Sequence, residues 1–566
     1  MSWTNYAYLR PTRFFDFKTL VIVGIVAFLL LFNVFPMLYL VFRTFFDGQG
    51  FTLEPISRIY TYALNWDALS NTLITALLAM IFGVLIAFPL AWLIGRTDLY
   101  GRNFFRTIFV MTYMVPPYVG AMAWLRLLNP SVGTFNLWLV DLLGLDGNPF
   151  NIYSIGGLVW VLTTFYYPYA FITISRAMEN MDPSLEEAAR ISGASPLKTV
   201  LTVTFPVMLP SIVAAALLVF ISAASCYGIP SIIGAPGQID TVTTRIIDYV
   251  YVGSSEGLSD ATSLAVSLML LANLVLLAST FIGGKKQYIT VSGKSMRPKR
   301  VQLGRLRLPL TILVAIFALI VVVLPFVTVA MTSITQNLGK ALTLDNCTLR
   351  YWEIILTRKG ILNTALNSLI SATCAATFGM AIACIMAWLL TRTQAKGRQI
   401  PDFLITLGSA TPSVVIALGL IMTMSGRFGI NIYNTLTIMI VAYMVKYLLM
   451  GMRTVVAAMN QIHPSLEEAA EISGASWLRR FKDVTLPLIL PSVVAGWFLI
   501  FMPSFYELTM STLLYSANTK TIGYELYTYQ TYHSQQTASA IATAILFLVI
   551  AVNYLVHKIT KGRFSI

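Results

Sequence analysis

The stretch PSLEEAARISGAS, residues 183–195, returns almost unchanged as PSLEEAAEISGAS at residues 464–476. Twelve of the thirteen positions are identical, and only Arg190 against Glu471 differs. Both copies stand in mostly apolar surroundings, yet each carries two adjacent glutamates and a glycine. The repetition of so polar a segment indicates a chain built from two related halves.

The composition of the chain is that of a membrane protein. Apolar residues make up 57% of the 566 residues and charged residues 11%, whereas soluble domains have about 45–50% and about 25%. A chain this apolar needs a lipid bilayer around it. The net charge of +14 does not indicate nucleic acid, because Lys and Arg collect in gaps between the apolar runs on alternate sides, as the positive-inside rule describes.

Twelve apolar runs are each long enough, at about 20 residues, to cross a bilayer. The first run has no small-residue cleavage signature after it and is interpreted as a retained span. The sequence therefore predicts an all-α, polytopic membrane protein with about 12 transmembrane helices. The predicted spans are 19–42, 72–95, 104–128, 154–175, 207–232, 261–282, 308–331, 367–390, 400–423, 434–453, 486–512 and 537–557.

A polar linker, residues 283–308, separates a first module of six spans (1–282) from a second module of six spans (309–566). The linker contains no acidic residue and should be cytoplasmic. Six spans per module then place both termini in the cytoplasm and the loop holding Asp141 and Asp146 outside. The basic residues of the linker are Lys285, Lys286, Lys294, Arg297, Lys299, Arg300, Arg305 and Arg307.

A second repeated block confirms the relation between the halves. NTLITALLAMIFGVLIAFPLAWLIGRT from Asn71 matches NSLISATCAATFGMAIACIMAWLLTRT from Asn367 at an offset of 296, whereas the first motif repeats at an offset of 281. The first half thus has fifteen extra residues, which most simply lengthen the external loop around 129–151. Both blocks occur in the same order, so the repeat is parallel rather than inverted.

The motif has the chemistry of a short capped helix. Ser184 and Glu187 have the spacing of a capping box, and the acids in the first turn suit the helix dipole. Gly193 fits a C-terminal cap with positive φ, and Ser195 with Pro196 can start the next helix. The corresponding residues of the second copy are Ser465, Glu468, Gly474 and Ser476.

Small alanine side chains on such a helix let another surface approach closely. On the cytoplasmic side the motif is therefore interpreted as a docking knob. The alternative is a surface helix that only caps the bundle. Two near-identical copies, in halves whose spans have diverged, favour a shared partner surface.

The run E-E-A-A-x-I-S-G-A-S before a Pro-rich span start resembles the EAA signature of binding-protein-dependent ABC importer permeases. The resemblance implies two tandem six-helix type I permease modules in the bacterial cytoplasmic (inner) membrane. It also implies two copies of a cytoplasmic ABC ATPase and a periplasmic solute-binding protein as partners. The residues it assigns to ATPase coupling, without deciding between the two adjacent glutamates, are Glu186, Glu187, Ala188, Ala189, Gly193, Glu467, Glu468, Ala469, Ala470 and Gly474.

The chain is expected to be a permease subunit and not an enzyme, with ATP and Mg bound by the partner ATPase and no cofactor of its own. The stretch YITVSGKS (288–295) has Tyr288 where a phosphate loop needs its first glycine. A metal-dependent membrane hydrolase is disfavoured because His463, His533 and His557 are widely separated. An ion-coupled secondary carrier stays as an alternative, although Glu507 is the one conspicuous intramembrane acid.

Within the family, the resemblance is strongest to the ferric iron branch, through YGIPSIIGAPGQIDTVTTRI from Tyr227 and FYELTMSTLLYSANTKTIG from Phe505. Organophosphates, phosphonates, thiamine and polyamines are the alternative cargoes. For a phosphorylated cargo, the basic residues Arg126 and Lys446 would matter more than Glu507.

Ionisable residues at membrane depth are candidates for the translocation path. Glu507 lies in the predicted eleventh span at the position that matches Cys226, Tyr506 and Tyr227 are their neighbours, and Lys446 lies in the tenth span. A hard cation prefers oxygen ligands, so Glu507 with Tyr506 is a candidate lining for a cation path. The alternatives are a Glu507–Lys446 pair that only holds helices together, or residues at span ends that face water. No metal site is assigned.

Overall fold

The computed structural model describes residues 17–46, 50–284, 300–340 and 343–559. Helices and loops make up this part of the chain, and no β-strand occurs in it beyond isolated bridges. The predicted all-α class is therefore confirmed. Residues 285–299, with most of the basic linker and the stretch 288–295, lie outside the described residues.

The helices of the first half overlap all six predicted runs, and short helices lie in the connections between the runs. They are α1 (Phe17–Leu29), α2 (Phe35–Phe45), α3 (Glu54–Thr61), α4 (Ala63–Arg96), α5 (Arg102–Thr112), α6 (Pro117–Leu128), α7 (Thr134–Leu143), α8 (Ile155–Asn180), α9 (Pro183–Ile191), α10 (Pro196–Thr199), α11 (Phe205–Ala224), α12 (Val242–Val252) and α13 (Ser255–Gly284).

The second half repeats this order with two differences: it has no counterpart of α7, and it has a short α-helix (Thr509–Leu514) where the first half has the π-helical turn Pro230–Gly234. Its helices are α14 (Arg307–Ala318), α15 (Leu324–Ser333), α16 (Arg350–Thr357), α17 (Lys359–Arg392), α18 (Gln399–Ala410), α19 (Ser413–Thr423), α20 (Leu436–Asn460), α21 (Ser465–Ile472), α22 (Trp477–Arg480), α23 (Leu486–Phe505), α24 (Thr509–Leu514), α25 (Ile522–Tyr532) and α26 (Gln535–Ile559).

Four spans contain a π-helical turn just before a proline at the start of the following α-helix. Proline has no N–H to donate to the preceding turn, so the helix widens there instead of breaking. Each span nevertheless continues across the turn. The π-helical turns are Leu30–Val34, Val200–Thr204, Leu319–Val323 and Phe481–Thr485.

Two of the predicted spans, 104–128 and 400–423, are not straight helices. The axes of α5 and α6 meet at 100°, and those of α18 and α19 at 108°. At these breaks Pro116 precedes Pro117 and Thr411 precedes Pro412, and both residues have extended backbone, because a proline disfavours the helical conformation of the residue before it. Among the described residues, ten helices are long and apolar enough to span a membrane, or twelve spans if each bent pair counts as one.

Contacts at the helix ends show that the first bent pair returns the chain from one face of the helical bundle to the other. Arg96, at the end of α4, donates to the carbonyl oxygens of Met178 and Met181 at the end of α8, at 2.5 and 3.1 Å. Helices α4 and α8 therefore end on the same face of the protein. The chain between them must return to the opposite face, which the bent pair α5–α6 accomplishes.

The first span of each half packs against the bent span of the other half. In α1–α2, the Nδ2 of Asn33 donates to the carbonyl oxygen of Leu404 in α18 at 2.8 Å. Reciprocally, the ring of Phe317 in α14 lies 5.7 Å from Phe109 and 5.5 Å from Tyr167 of the first half. This exchange interlocks the two halves.

The predicted spans 207–232 and 486–512 end earlier than expected. Helix α11 stops at Ala224 and α23 at Phe505, and the chain then folds back toward the N-terminal part of the second span of the same half. The N–H of Val242 donates to Thr72 Oγ1 at 2.9 Å, and the N–H of Ile522 donates to Ser368 Oγ at 2.8 Å. The apolar pattern alone did not predict where these helices end, because the residues that follow are also largely apolar.

Helix α7 occupies the extra loop of the first half. At the opposite face, residues 300–306 dock on the loop after α4. The N–H of Val301 donates to the carbonyl oxygen of Arg96 at 2.9 Å, and the N–H of Leu303 donates to Asp98 Oδ1 at 3.0 Å. The second part of the linker thus lies on the face where α4 and α8 end.

Candidate functional site

The two motif helices, α9 and α21, follow the fourth span of each half. Asp182 caps α9 by accepting a hydrogen bond from the N–H of Ser184 at 2.9 Å, and this bond lowers the pKa of the Asp182 carboxyl. In the second half, the Nδ1 of His463 takes the same place toward the N–H of Ser465, at 3.3 Å.

The predicted capping boxes are therefore wrong. Helix α9 already begins at Pro183, whose fixed φ suits the first helical position, so Ser184 lies inside the helix and Glu187 lies too far along it to reach back. Helix α21 begins at Ser465, so Ser465 is its first helical residue. In a capping box this serine would be the residue just before the helix.

The turns after both motif helices are as predicted. Gly193 has φ +83° and Gly474 has φ +82°. The N–H groups of Gly193 and Ala194 donate to the carbonyl oxygens two and three positions inside the helix end, at 3.0 Å each, which is a Schellman motif. Ser195 then caps α10 by accepting from the N–H of Lys198 at 3.3 Å.

The two adjacent glutamates of each motif differ in their surroundings. Glu186 is buried, and its Oε1 accepts a hydrogen bond from Thr204 Oγ1 at 2.7 Å. Glu467 is mostly covered, and its Oε1 accepts from Thr485 Oγ1 at 3.0 Å. Each of these glutamates faces the membrane bundle.

Each buried glutamate also meets an arginine from the end of the second span. Arg96 NH1 lies 3.9 Å from Glu186 Oε2, and Arg392 Nε lies 3.0 Å from Glu467 Oε1. The sequence reading missed both arginines. The signal was present, because the repeated block ends in GRT in one half and TRT in the other.

The second glutamates face away from the bundle. Glu187 is partly exposed and Glu468 is exposed, and the described residues provide no hydrogen bond or ion pair to either carboxylate. Ala188 and Ala469 are exposed beside them. The end of each motif helix also presents an isoleucine that the sequence reading overlooked, with Ile191 and Ile472 exposed by 87% and 88%.

The predicted path residues, far apart in sequence, meet in one cavity of about 360 Å³ between the two halves. Glu507, Tyr506, Lys446, Cys226 and Tyr227 all line it. Hydroxyl groups that the sequence reading did not select dominate the rest of the polar lining. They belong to Tyr113, Tyr118, Tyr166, Tyr169, Tyr447, Ser222, Ser225, Thr406, Ser409, Ser413 and Thr509.

The prediction that Glu507 lies within a continuous eleventh span is wrong. Glu507 lies in the break between α23 and α24. Its Oε2 accepts hydrogen bonds from the N–H groups of Met510 and Ser511 at 2.8 and 3.0 Å. The carboxylate therefore caps the start of α24, where the dipole of the short helix favours negative charge.

Lys446 binds at the break between α18 and α19. Its Nζ donates to the carbonyl oxygens of Ser409 and Thr411 at 3.0 and 2.7 Å, at the C-terminal end of α18. The proposed Glu507–Lys446 ion pair does not occur among the ion pairs of the described residues. Both groups are saturated mainly by main-chain partners, although both still border the cavity.

The cavity wall is mainly apolar, and its polar side chains are phenols, hydroxyls, one carboxylate and one ammonium group. In the described part of the chain, no three His, Cys, Asp or Glu side chains are grouped as a metal site.

The family described as the inner membrane component of binding-protein-dependent transport systems matches residues 87–282 and 377–565. The chain belongs to this family. The match falls once on each half, as the two motif copies require. The chain is thus a multi-pass permease subunit of an ABC-type importer, and the expectation that its role is transport rather than catalysis is confirmed.

Two ferric permeases align with most of this chain, and a polyamine permease aligns with a smaller part of it. The Fe(3+)-transport system permease protein FbpB 2 of Haemophilus influenzae is 25% identical over 526 residues, covering 91% of this chain and 92% of the relative. The ferric transport system permease protein FbpB of Actinobacillus pleuropneumoniae is 24% identical over 508 residues, covering 88% and 72%. The spermidine/putrescine permease PotB of Salmonella typhimurium is 28% identical over 233 residues, covering 38% of this chain and 78% of the relative.

Proposed function

We propose that this permease moves ferric iron across the bacterial inner membrane, from a periplasmic binding protein, with energy from two copies of a cytoplasmic ATPase. The observation that carries the proposal is the pair of equivalent motif helices on one face of a family member whose relatives include ferric permeases that align with about 90% of the chain. The cavity between the halves is the proposed passage, with Glu507, Tyr506, Lys446, Cys226 and Tyr227 on its walls.

The ATPase docks on the motif helices through their outer surfaces. The exposed alanines allow close approach, Glu187 and Glu468 supply charge, and Ile191 and Ile472 supply an apolar tip. Two equivalent surfaces accept two equivalent subunits, which is the reason for proposing two ATPase copies.

Charge reversal tests this docking. The double variant Glu187→Lys/Glu468→Lys should fold, since exposed positions near a helix start contribute only about 0.3–1 kcal/mol each. Co-purification of the ATPase and ATP-driven uptake should fall together. The matched control is Glu54→Lys/Glu353→Lys, which reverses two exposed acids on the opposite face. Normal co-purification of the first double variant would remove the docking proposal.

Iron is proposed as cargo because two ferric permeases align with 88% and 91% of the chain, whereas the polyamine permease aligns with 38% of it. The phenol, hydroxyl and carboxylate oxygens among the cavity residues suit Fe(III), a hard cation. The test is uptake of labelled ferric iron, spermidine and a phosphonate by vesicles containing the complete transporter. Uptake of ferric iron alone is expected, and uptake of another cargo in its place would overturn this assignment.

Both termini and the motif helices are proposed to be cytoplasmic, because the basic residues Arg300, Arg305 and Arg307 lie on the motif face. The binding protein then docks at the opposite face, near α7. The exposed thiol of Cys347 lies on that opposite face. In spheroplasts a membrane-impermeant maleimide should label Cys347 directly, and should label an introduced Ser195→Cys only after permeabilisation. Labelling in the reverse order would invert the orientation.

A further inference from the structure

We infer that Glu186 and Glu467 are positioning residues that fix each motif helix to three spans, so that movement of the helix on the ATPase moves the spans around the cavity. The inference rests on the proposed ATPase docking. It assigns different tasks to the two adjacent glutamates of each motif, a distinction that the repeated sequence does not make.

In the first half, Glu186 lies under α9 and joins two elements directly. Its Oε1 accepts from Thr204 Oγ1 at 2.7 Å, in the π-helical turn that leads into α11. Its Oε2 lies 3.9 Å from NH1 of Arg96, at the end of α4. The same arginine donates through NH2 to Met178 O and Met181 O, at the end of α8. One cluster thus ties the motif helix to the second, fourth and fifth spans.

The second half contains the same cluster at equivalent positions. Arg392 Nε donates to Glu467 Oε1 at 3.0 Å, and Thr485 Oγ1 donates to the same oxygen at 3.0 Å. Arg392 NH2 donates to the carbonyl oxygens of Met459 and Ile462 at 2.8 and 2.7 Å. Every residue of the first cluster therefore has its counterpart, which an accidental surface ion pair would not show. The arginine–glutamate contact differs in distance: Arg392 donates a hydrogen bond to Glu467, whereas Arg96 NH1 approaches Glu186 to 3.9 Å without one.

The chemistry of the cluster suits the transmission of movement. A planar guanidinium with five fixed donors can hold a carboxylate and two carbonyl oxygens at once, which a flexible ammonium cannot do as rigidly. The side chains of Arg96 and Glu186 are 3% and 5% exposed, and buried charged groups that lose a partner are strongly disfavoured. The cluster therefore moves as a unit, and the helix cannot shift without displacing the span ends.

The outward glutamates have the complementary role. Glu187 and Glu468 point away from the cluster, and no described partner within the permease engages their carboxylates. They are available to the ATPase, while Glu186 and Glu467 are already engaged inside the permease. Docking of the ATPase and transmission of its movement are thereby assigned to adjacent residues of each motif helix.

The experiment compares two double variants in the complete transporter. In Glu186→Ala/Glu467→Ala, the ATPase should still co-purify and hydrolyse ATP, but cargo imported per ATP should fall by about fivefold or more, the usual lower range of allosteric coupling. In Glu187→Ala/Glu468→Ala, co-purification itself should fall. An unchanged import-to-hydrolysis ratio in the first variant would overturn the inference.

Conservative variants separate transmission from a merely structural role. Glu186→Gln/Glu467→Gln keeps the acceptor oxygen and should restore most of the coupling. If the alanine variant does not fold, Thr204→Val/Thr485→Val removes one hydrogen bond per cluster without changing shape, and it should reduce the same ratio. A normal ratio in the valine variant would overturn the inference. If the wild-type permease binds no ATPase, the proposed docking fails first, and that failure is distinct from a normal ratio in a docked complex.

Discussion

Lys446 and Glu507 line the same cavity, yet each is bonded to the main chain of a helix break rather than to the other. Lys446 binds the carbonyl oxygens at the end of α18, and Glu507 binds the N–H groups at the start of α24. A cation at the negative end of one helix and an anion at the positive end of another complement both dipoles. Both side chains therefore join the main chain of a helix break to the wall of the cavity.

Replacing Lys446 by Met should destabilise the permease. The change leaves the carbonyl oxygens of Ser409 and Thr411 without their donor, at a cost of about 1–3 kcal/mol. The midpoint of thermal unfolding of the detergent-purified protein should fall. Lys359→Met, at an exposed lysine, is the matched control and should leave the midpoint unchanged. Equal midpoints for the two variants would contradict the bracing role of Lys446.

Replacing Glu507 by Gln should reduce ferric iron uptake more than it reduces stability. Glutamine keeps an oxygen that can accept from Met510 or Ser511 but removes the charge that faces the cavity. Assembly with the ATPase and basal ATP hydrolysis should persist. Uptake by vesicles of Glu507→Gln is compared with that of Glu353→Gln, an exposed acid. If both variants transport normally, the carboxylate serves only as a helix cap.

Replacing Gly523 by Ala should disturb the segment that carries Glu507. A Cβ at this position would lie 2.5 Å from the carbonyl oxygen of Glu507 and 2.8 Å from that of Tyr506. These are main-chain atoms that cannot rotate away, so a loss of about 1–3 kcal/mol is expected. Gly360→Ala, with no atom within 4 Å, should be neutral or stabilising. Thermal unfolding of the two variants gives the comparison.

Replacing Gly193 and Gly474 by Ala should loosen both motif turns. Each glycine has a positive φ that alanine adopts at a cost of about 1–2 kcal/mol. The motif helices should fray at their ends, and hydrogen exchange of Ala194 and Ala475 should accelerate. ATPase co-purification should weaken as well. Gly95→Ala lies nearby with open space and ordinary backbone, and it should leave exchange at both turns unchanged.

The spans could be predicted because about 20 apolar residues are needed wherever a helix crosses lipid, and that requirement is written locally in the sequence. The bends at Pro116 and Pro412 could not be predicted, because hydropathy contains no information on the direction of a helix axis. The residues on both sides of each break are apolar. A proline at the centre of an apolar run can indicate a helix break. This signal is ambiguous, because Pro89 lies inside the continuous helix α4.

The cavity residues illustrate the same division. Glu507 and Lys446 stood out because charges are costly at membrane depth, and the repeat drew attention to Cys226. The tyrosines of the wall gave no such signal, since a phenol is ordinary in an apolar span. The Glu507–Lys446 pair, which the sequence left open as an alternative, does not form because the broken helices present free main-chain groups. These competing partners become visible only in three dimensions.

The exchange of first spans has a consequence for how the ribosome must deliver this protein. Asn33 emerges early, but its partner Leu404 follows 371 residues later. At about 5–20 residues per second, the first helix waits roughly 20–75 s in the bilayer before its binding surface exists. The first span of the second half, by contrast, emerges onto a bent helix that is already complete. During translation, the first helix therefore reaches its final packing only after the bent span of the second half has been synthesised.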